Sequence, residues 1–132
     1  MLEENQIVDR AQKVMEILSR QKNMVTTSQI RKFLTAVNTV TEKVNAYKLE
    51  KTDDYDTLPV ELQAQIKYLK VKLAYQIGRN RSKWGNPVED FEKEARLMSL
   101  IDGIKSSTKE YEKFAHYIEA LVAFHKFYGG KD

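Results

Sequence analysis

Apolar residues recur along this chain at helical rather than strand spacing, in stripes separated by short polar turns. The first stripe, Ile7, Ala11, Val14, Met15 and Leu18, predicts a helix over about 3–21. A second, Ile30, Phe33, Leu34, Val37, Val40, Val44 and Tyr47, predicts one over 27–50. Thr26-Thr27-Ser28-Gln29 before it has the form of a capping box, a hydroxyl at the cap and a glutamine three residues on. After the acidic segment Asp53-Asp54-Tyr55-Asp56, a third helix is expected over 59–80 with Pro59 at its first position, where the missing N–H costs nothing. Gly85-Asn86-Pro87 reads as a turn into a fourth helix over 87–105, with Asn86 as cap and Glu89 three residues later. Ser107-Thr108-Lys109-Glu110 opens a fifth over 108–128, which Gly129-Gly130 would end by turning left-handed. The expectation is an all-α protein, a compact bundle of about five helices in one domain spanning 1–132, without internal repeats.

On a helical wheel of 59–80, Leu62, Ile66, Leu69, Leu73 and Ile77 fall within about 80° and form a core stripe. Ala64, Tyr68, Val71, Tyr75 and Gly78 lie opposite. A helix apolar on two sides is buried between neighbours or against a second chain. The final helix is also widely apolar: Tyr111, Phe114, Ala115, Ile118, Leu121 and Val122 share one side, while Tyr117, Phe124, Phe127 and Tyr128 spread round the rest. Five helices of this length do not readily hide so much apolar surface, so Tyr68, Val71, Tyr75, Phe124 and Phe127 are the expected protein interface.

Composition agrees with a helical chain: 132 residues, five glycines, two prolines and no cysteine. That length can bury a core without staples. The lack of cysteine excludes a disulfide scaffold, a thiolate metal site and a cysteine nucleophile. Charge-free stretches reach only about ten residues, against the roughly 20 apolar residues of a membrane span. The N-terminus lacks the basic-then-apolar order of a secretory signal, and a soluble, cytoplasmic protein is expected.

The net charge of +3 conceals a sorting of 22 basic and 19 acidic residues. No acid stands between Glu16 and Glu42, where Arg20, Lys22, Arg31 and Lys32 lie. None stands between Glu61 and Glu89, a gap holding Lys67, Lys70, Lys72, Arg79, Arg81 and Lys83. These ten cations leave 12 basic against 19 acidic residues elsewhere, a balance of −7. Two local basic tracts attract polyanions whatever the total, unless they merely balance acidic neighbours within the fold.

Catalytic and metal chemistry find little support. His116 and His125 are nine residues apart, too far for a helical ligand pair, and His125 falls on the main apolar stripe, where a packed, hydrogen-bonded imidazole is expected. The acidic segment lacks the glycine and distal glutamate of a calcium loop. No glycine-rich phosphate loop or serine-nucleophile context is present. The chain is expected to be no enzyme and to need no metal or cofactor. Cations on helices suit contact with a phosphate backbone, which positions a polyanion without reading its sequence. Lys70, Lys72 and Arg79, at the rims of the doubly apolar helix, would keep their heads free while their stems cover apolar surface. Trp84, beside Arg81 and Lys83, could stack on a base, but anchoring the turn into the core is the favoured expectation.

Three segments carry a resemblance to a known family. They are Thr27-Ser28-Gln29-Ile30-Arg31-Lys32-Phe33, then Gln65-Ile66-Lys67-Tyr68-Leu69-Lys70-Val71-Lys72-Leu73-Ala74-Tyr75, and finally 119–130, which reads Glu-Ala-Leu-Val-Ala-Phe-His-Lys-Phe-Tyr-Gly-Gly. In this order they resemble the small subunit of type III-A CRISPR effector complexes, the Csm complex. The resemblance implies a non-catalytic helical subunit in antiviral defence, stacked in several copies beside other Csm subunits, touching guide RNA and target RNA through their backbones. Carried onto the matching positions, it implies RNA contacts at Arg31, Lys32, Lys67, Lys70, Lys72 and Arg79, with Arg81, Lys83 and Lys126 as further candidates. Two alternatives stand beside it. One is a helical adaptor or spacer without nucleic-acid contact. The other is a helix-turn-helix DNA binder, disfavoured because no short partner helix precedes Thr26.

Overall fold

The computed structural model describes residues 2–51 and 54–132. Among these it forms six α-helices and no strand: α1 Ile7–Ser19, α2 Thr27–Glu50, α3 Val60–Arg79, α4 Pro87–Ala95, α5 Leu97–Ile104 and α6 Thr108–Phe127. A short 3-10 turn, Glu4–Gln6, leads into α1, so that helix starts later than its periodicity suggests. All five residues of the first stripe are buried, as are Ile30, Phe33, Val37, Val40 and Val44 of α2 and the whole Leu62-to-Ile77 stripe of α3.

The caps follow their local chemistry. Thr26 Oγ1 accepts from the Gln29 N–H and the Gln29 side chain accepts from the Thr26 N–H, a reciprocal capping box. Asn86 Oδ1 caps α4 through the Glu89 N–H, with Pro87 in the first turn. Ser107 Oγ caps α6 through the Glu110 N–H, while the Glu110 carboxylate pairs instead with Lys113. Pro59 differs from expectation. It is the cap residue of α3 rather than its first helical residue, in extended geometry with ψ 157°.

The main departure is between residues 87 and 105, where one helix was expected and two form. Arg96 adopts left-handed backbone, φ 58° and ψ 41°, ending α4 and starting α5. The reason lies in the phase of the apolar residues. On one continuous wheel Val88, Phe91 and Ala95 would share one side, and Leu97, Ile101 and Ile104 would centre about 145° away. The break lets both triplets reach the core, where all six are buried. Glu92 Oε2 accepts from the Met98 N–H and satisfies one of the orphan donors at the start of α5.

α1 packs along α6, and α2 along α3. The second pair is antiparallel, with Lys43 reaching Gln65 near one end and Arg31 and Lys32 lying beside Lys72 toward the other. α4 and α5 fill the side between the pairs. The segment before α3 is stitched to the α5–α6 connection: the Leu58 N–H donates to Ser106 O at 2.7 Å and the Thr108 N–H to Asp56 O at 3.0 Å. Of the acidic segment, Asp53 lies outside the described residues, and Asp54 is exposed with its carboxylate accepting from the Asp56 N–H.

Candidate nucleic-acid interface

Residues 41 positions apart in the chain meet along the α2–α3 seam. A groove of about 580 Å³ runs there, with Ala36, Val40 and Leu69 along its floor and Arg31, Lys32, Thr35, Gln65, Tyr68 and Lys72 around it. Arg31 and Lys32 of the first acid-free tract and Lys72 of the second thus line one cleft. Lys72 Nζ stands 5.8 Å from the centre of the Tyr68 ring. Tyr68 itself is 57% exposed. Arg79, seven residues beyond Lys72 and therefore nearly in line with it, extends this cationic edge by about 10 Å.

The other basic residues are placed differently. Lys67 and Lys70 lie on the opposite flank of α3, toward α5. Lys70 does not keep a free head as expected: its Nζ pairs with Asp102 Oδ1 at 2.8 Å, and the residue is half-buried. Lys126, near the end of α6, pairs with Asp132 at 2.8 Å. That hydrogen bond and charge, with a smaller contribution from Arg31, hold the Asp132 carboxyl below its ordinary value. Arg81 and Lys83 occupy the exposed turn after α3. Among the described residues no carboxylate lies within ion-pair distance of Arg31, Lys32, Lys67, Lys72, Arg79, Arg81 or Lys83.

A helix N-terminus can itself hold an anion, but that of α2 is already filled. The Thr27 N–H donates to Lys131 O at 3.0 Å and the Ser28 N–H to Asp132 O at 2.6 Å, while Thr26 takes the Gln29 N–H. The positive character of this seam therefore comes from side chains.

Burial sorts the aromatic side chains. Trp84 does not anchor its turn in the core; it is 77% exposed, with Lys83 Nζ 5.1 Å from the ring centre. Of the expected interface residues, Tyr68, Val71, Tyr75 and Phe127 are exposed, and Phe124 is half-buried against the core, edge-on to Phe127. Tyr117, grouped with them by sequence, is fully buried and donates to Ala95 O at 3.0 Å. Burial raises its hydroxyl pKa to about 12, partly offset by the nearby Arg10 guanidinium. Tyr111 is likewise raised to about 12 by burial, against a hydrogen bond with Thr41.

His125 is the packed imidazole anticipated from its stripe: it is buried, with Nε2 2.7 Å from Val25 O, so Nε2 carries the proton and donates. His116 is exposed on α6. Among the described residues no group of three or more His, Asp or Glu side chains is arranged to hold a metal ion, and no helix is long and apolar enough to cross a membrane.

Comparison with known proteins bears on what this surface serves. The chain matches the Csm2 type III-A family over residues 2–131. It is 31% identical to the CRISPR system Cms protein Csm2 of Streptococcus thermophilus, over all of this chain and 98% of that protein. It is 33% identical to the protein of the same name from Enterococcus italicus, over 92% of this chain and 84% of the relative. A shorter match, 36% identical over 58% of this chain and 57% of the relative, is to the Mycobacterium tuberculosis protein of that name. A match over nearly the whole length means that the chain belongs to the Csm2 type III-A family, the small subunit of the Csm effector complex.

Proposed function

We propose that the chain is a non-catalytic subunit that holds guide and target RNA by their phosphates, in several copies stacked within a cytoplasmic ribonucleoprotein. The observation that carries this reading is the α2–α3 cleft, where Arg31, Lys32 and Lys72 converge from two acid-free tracts, with no carboxylate among the described residues within ion-pair distance. Cations of this kind contact phosphate without reading sequence, and arginine can do so through two parallel hydrogen bonds. Arg79 continues the Lys72 edge, with Arg81 and Lys83 in the turn beyond it; Lys67 stands on the other flank of α3, and Lys70 and Lys126 would first have to leave Asp102 and Asp132. Stacking is supported by the ridge of Tyr68, Val71 and Tyr75 on the outer side of α3 and by Phe127, large apolar groups left exposed by the chain's own packing.

The test is target-RNA affinity of the assembled effector complex across a salt series, with Arg31, Lys32 and Lys72 changed together to Gln. Loss of affinity, equal for unrelated RNA sequences and with a flattened salt slope, is expected. An intact complex with an unchanged slope would leave the chain as a protein spacer, the reading that the exposed α3 ridge alone would favour.

A further inference from the structure

The turn joining α3 to α4 is a rigid mount for an exposed indole. The Gly85 N–H donates to Ser82 O at 3.3 Å, Ser82 Oγ donates to Gly85 O at 2.9 Å, and the Trp84 N–H donates to Ser82 Oγ at 3.2 Å. Gly85 supplies the positive φ, 115°, that closes the loop. Just beyond, the buried Asn86 side chain donates to Ile77 O at 2.8 Å and caps α4, so the turn is tied to both helices it connects. The largest apolar side chain of the protein is thus held in water by a hydrogen-bonded loop. Lys83 lies over its ring, and Arg79 and Arg81 flank it in a stretch with no acid between Glu61 and Glu89.

We propose that Trp84 stacks on an unpaired RNA base. The proposal rests on the RNA-contact reading above and adds a base contact to it. Stacking on an aromatic side chain tolerates any base, since every base has a π face, and it commonly accompanies a cationic track for the phosphates. Such a track leads here: Lys72 and Arg79 follow one edge of α3 from the cleft toward the turn. A linear polyanion lying along that edge would meet the indole at its end. An acidic peptide would satisfy the cations but has no flat π system for the ring.

Trp84 is the single tryptophan of the chain, so its fluorescence reports on this site alone. The full chain is titrated with single-stranded oligoadenylate and with an abasic sugar-phosphate strand of equal length, following binding by anisotropy of labelled strands and indole emission with unlabelled ones. Oligoadenylate should quench the emission saturably, and the abasic strand should bind without quenching. Trp84→Ala and Trp84→Leu should each weaken oligoadenylate binding about tenfold and leave the abasic strand unaffected, while Trp84→Phe retains most of the affinity. These exposed substitutions do not threaten folding. Oligoadenylate binding without quenching, or unchanged affinity in Trp84→Leu, would overturn the stacking and leave phosphate contact standing. Failure of both strands to bind would overturn the RNA reading and the stacking with it.

Discussion

Gly130 lies flat against the imidazole of His125, so closely that a Cβ at residue 130 would stand 2.3 Å from the ring. The pair belongs to the left-handed end of α6: the Gly129 N–H returns to Lys126 O, the Gly130 N–H to His125 O, and Gly129 has φ 83°. The two glycines serve different needs, one for backbone geometry and one for closeness. Gly130→Ala should push the buried His125 off Val25 O and cost about 1–3 kcal/mol, the range for a buried polar group that loses its partner. Gly129→Ala should cost about 1 kcal/mol from left-handed strain alone. Thermal denaturation of the two variants checks the order; equal, negligible shifts would refute the packing role.

The cleft cations should act independently of RNA sequence. Single changes of Arg31, Lys32 or Lys72 to Gln should each flatten the log-affinity against log-salt slope by roughly 0.7 for a single-stranded contact. Lys70→Gln should do less, because Lys70 is engaged by Asp102, and Asp102→Asn should raise affinity by freeing it. Fluorescence anisotropy at several salt concentrations distinguishes these cases. Equal effects at Lys70 and Lys72 would count against the cleft.

The outer ridge of α3 should matter for assembly and not for folding. Tyr68, Val71 and Tyr75 are at least half exposed, so changing Val71 and Tyr75 to Ser should alter monomer stability by no more than about 0.5 kcal/mol. The number of copies recovered in the reconstituted effector should fall. Native mass spectrometry reads the copy number directly, and a full complement would remove the ridge from the interface.

Lys105 carries φ 52° and ψ −117°, backbone that suits glycine and strains a side chain. Lys105→Gly should therefore stabilise the protein by about 1 kcal/mol, a rise of a few degrees in Tm for a chain of this length. No change in Tm, or a fall, would argue against strain at this position.

Alkaline unfolding should begin early. Tyr111 and Tyr117 titrate near 10.0 when unfolded and are raised to about 12 by burial, so the folded state holds their protons more tightly. The unfolded chain binds fewer protons between these values, and stability therefore falls as pH rises from about 10 toward 12. Tyr111→Phe and Tyr117→Phe should flatten that fall in denaturant melts, at the cost of the hydrogen bonds to Val37 O and Ala95 O.

Short-range chemistry made much of this protein legible from its residues. Core stripes follow from a 3.6-residue period, and the caps at Thr26, Asn86 and Ser107 require partners only three residues away, as does the glycine end of α6 within one turn. Even the break at Arg96 was encoded, in the opposite phase of Val88-Phe91-Ala95 and Leu97-Ile101-Ile104. The functional surface was only half visible, because sequence locates cations along the chain and not relative to distant acids or to each other. The pairing of Lys70 with Asp102 spans 32 positions, and the meeting of Arg31 with Lys72 spans 41. Trp84 looked like a core anchor because its size favours burial, yet hydrogen bonds at Ser82 and Asn86 turn it outward. Local bonding determines which helices form and where they end, whereas the choice of which charges stay free belongs to the packing of α2, α3 and α5 against one another.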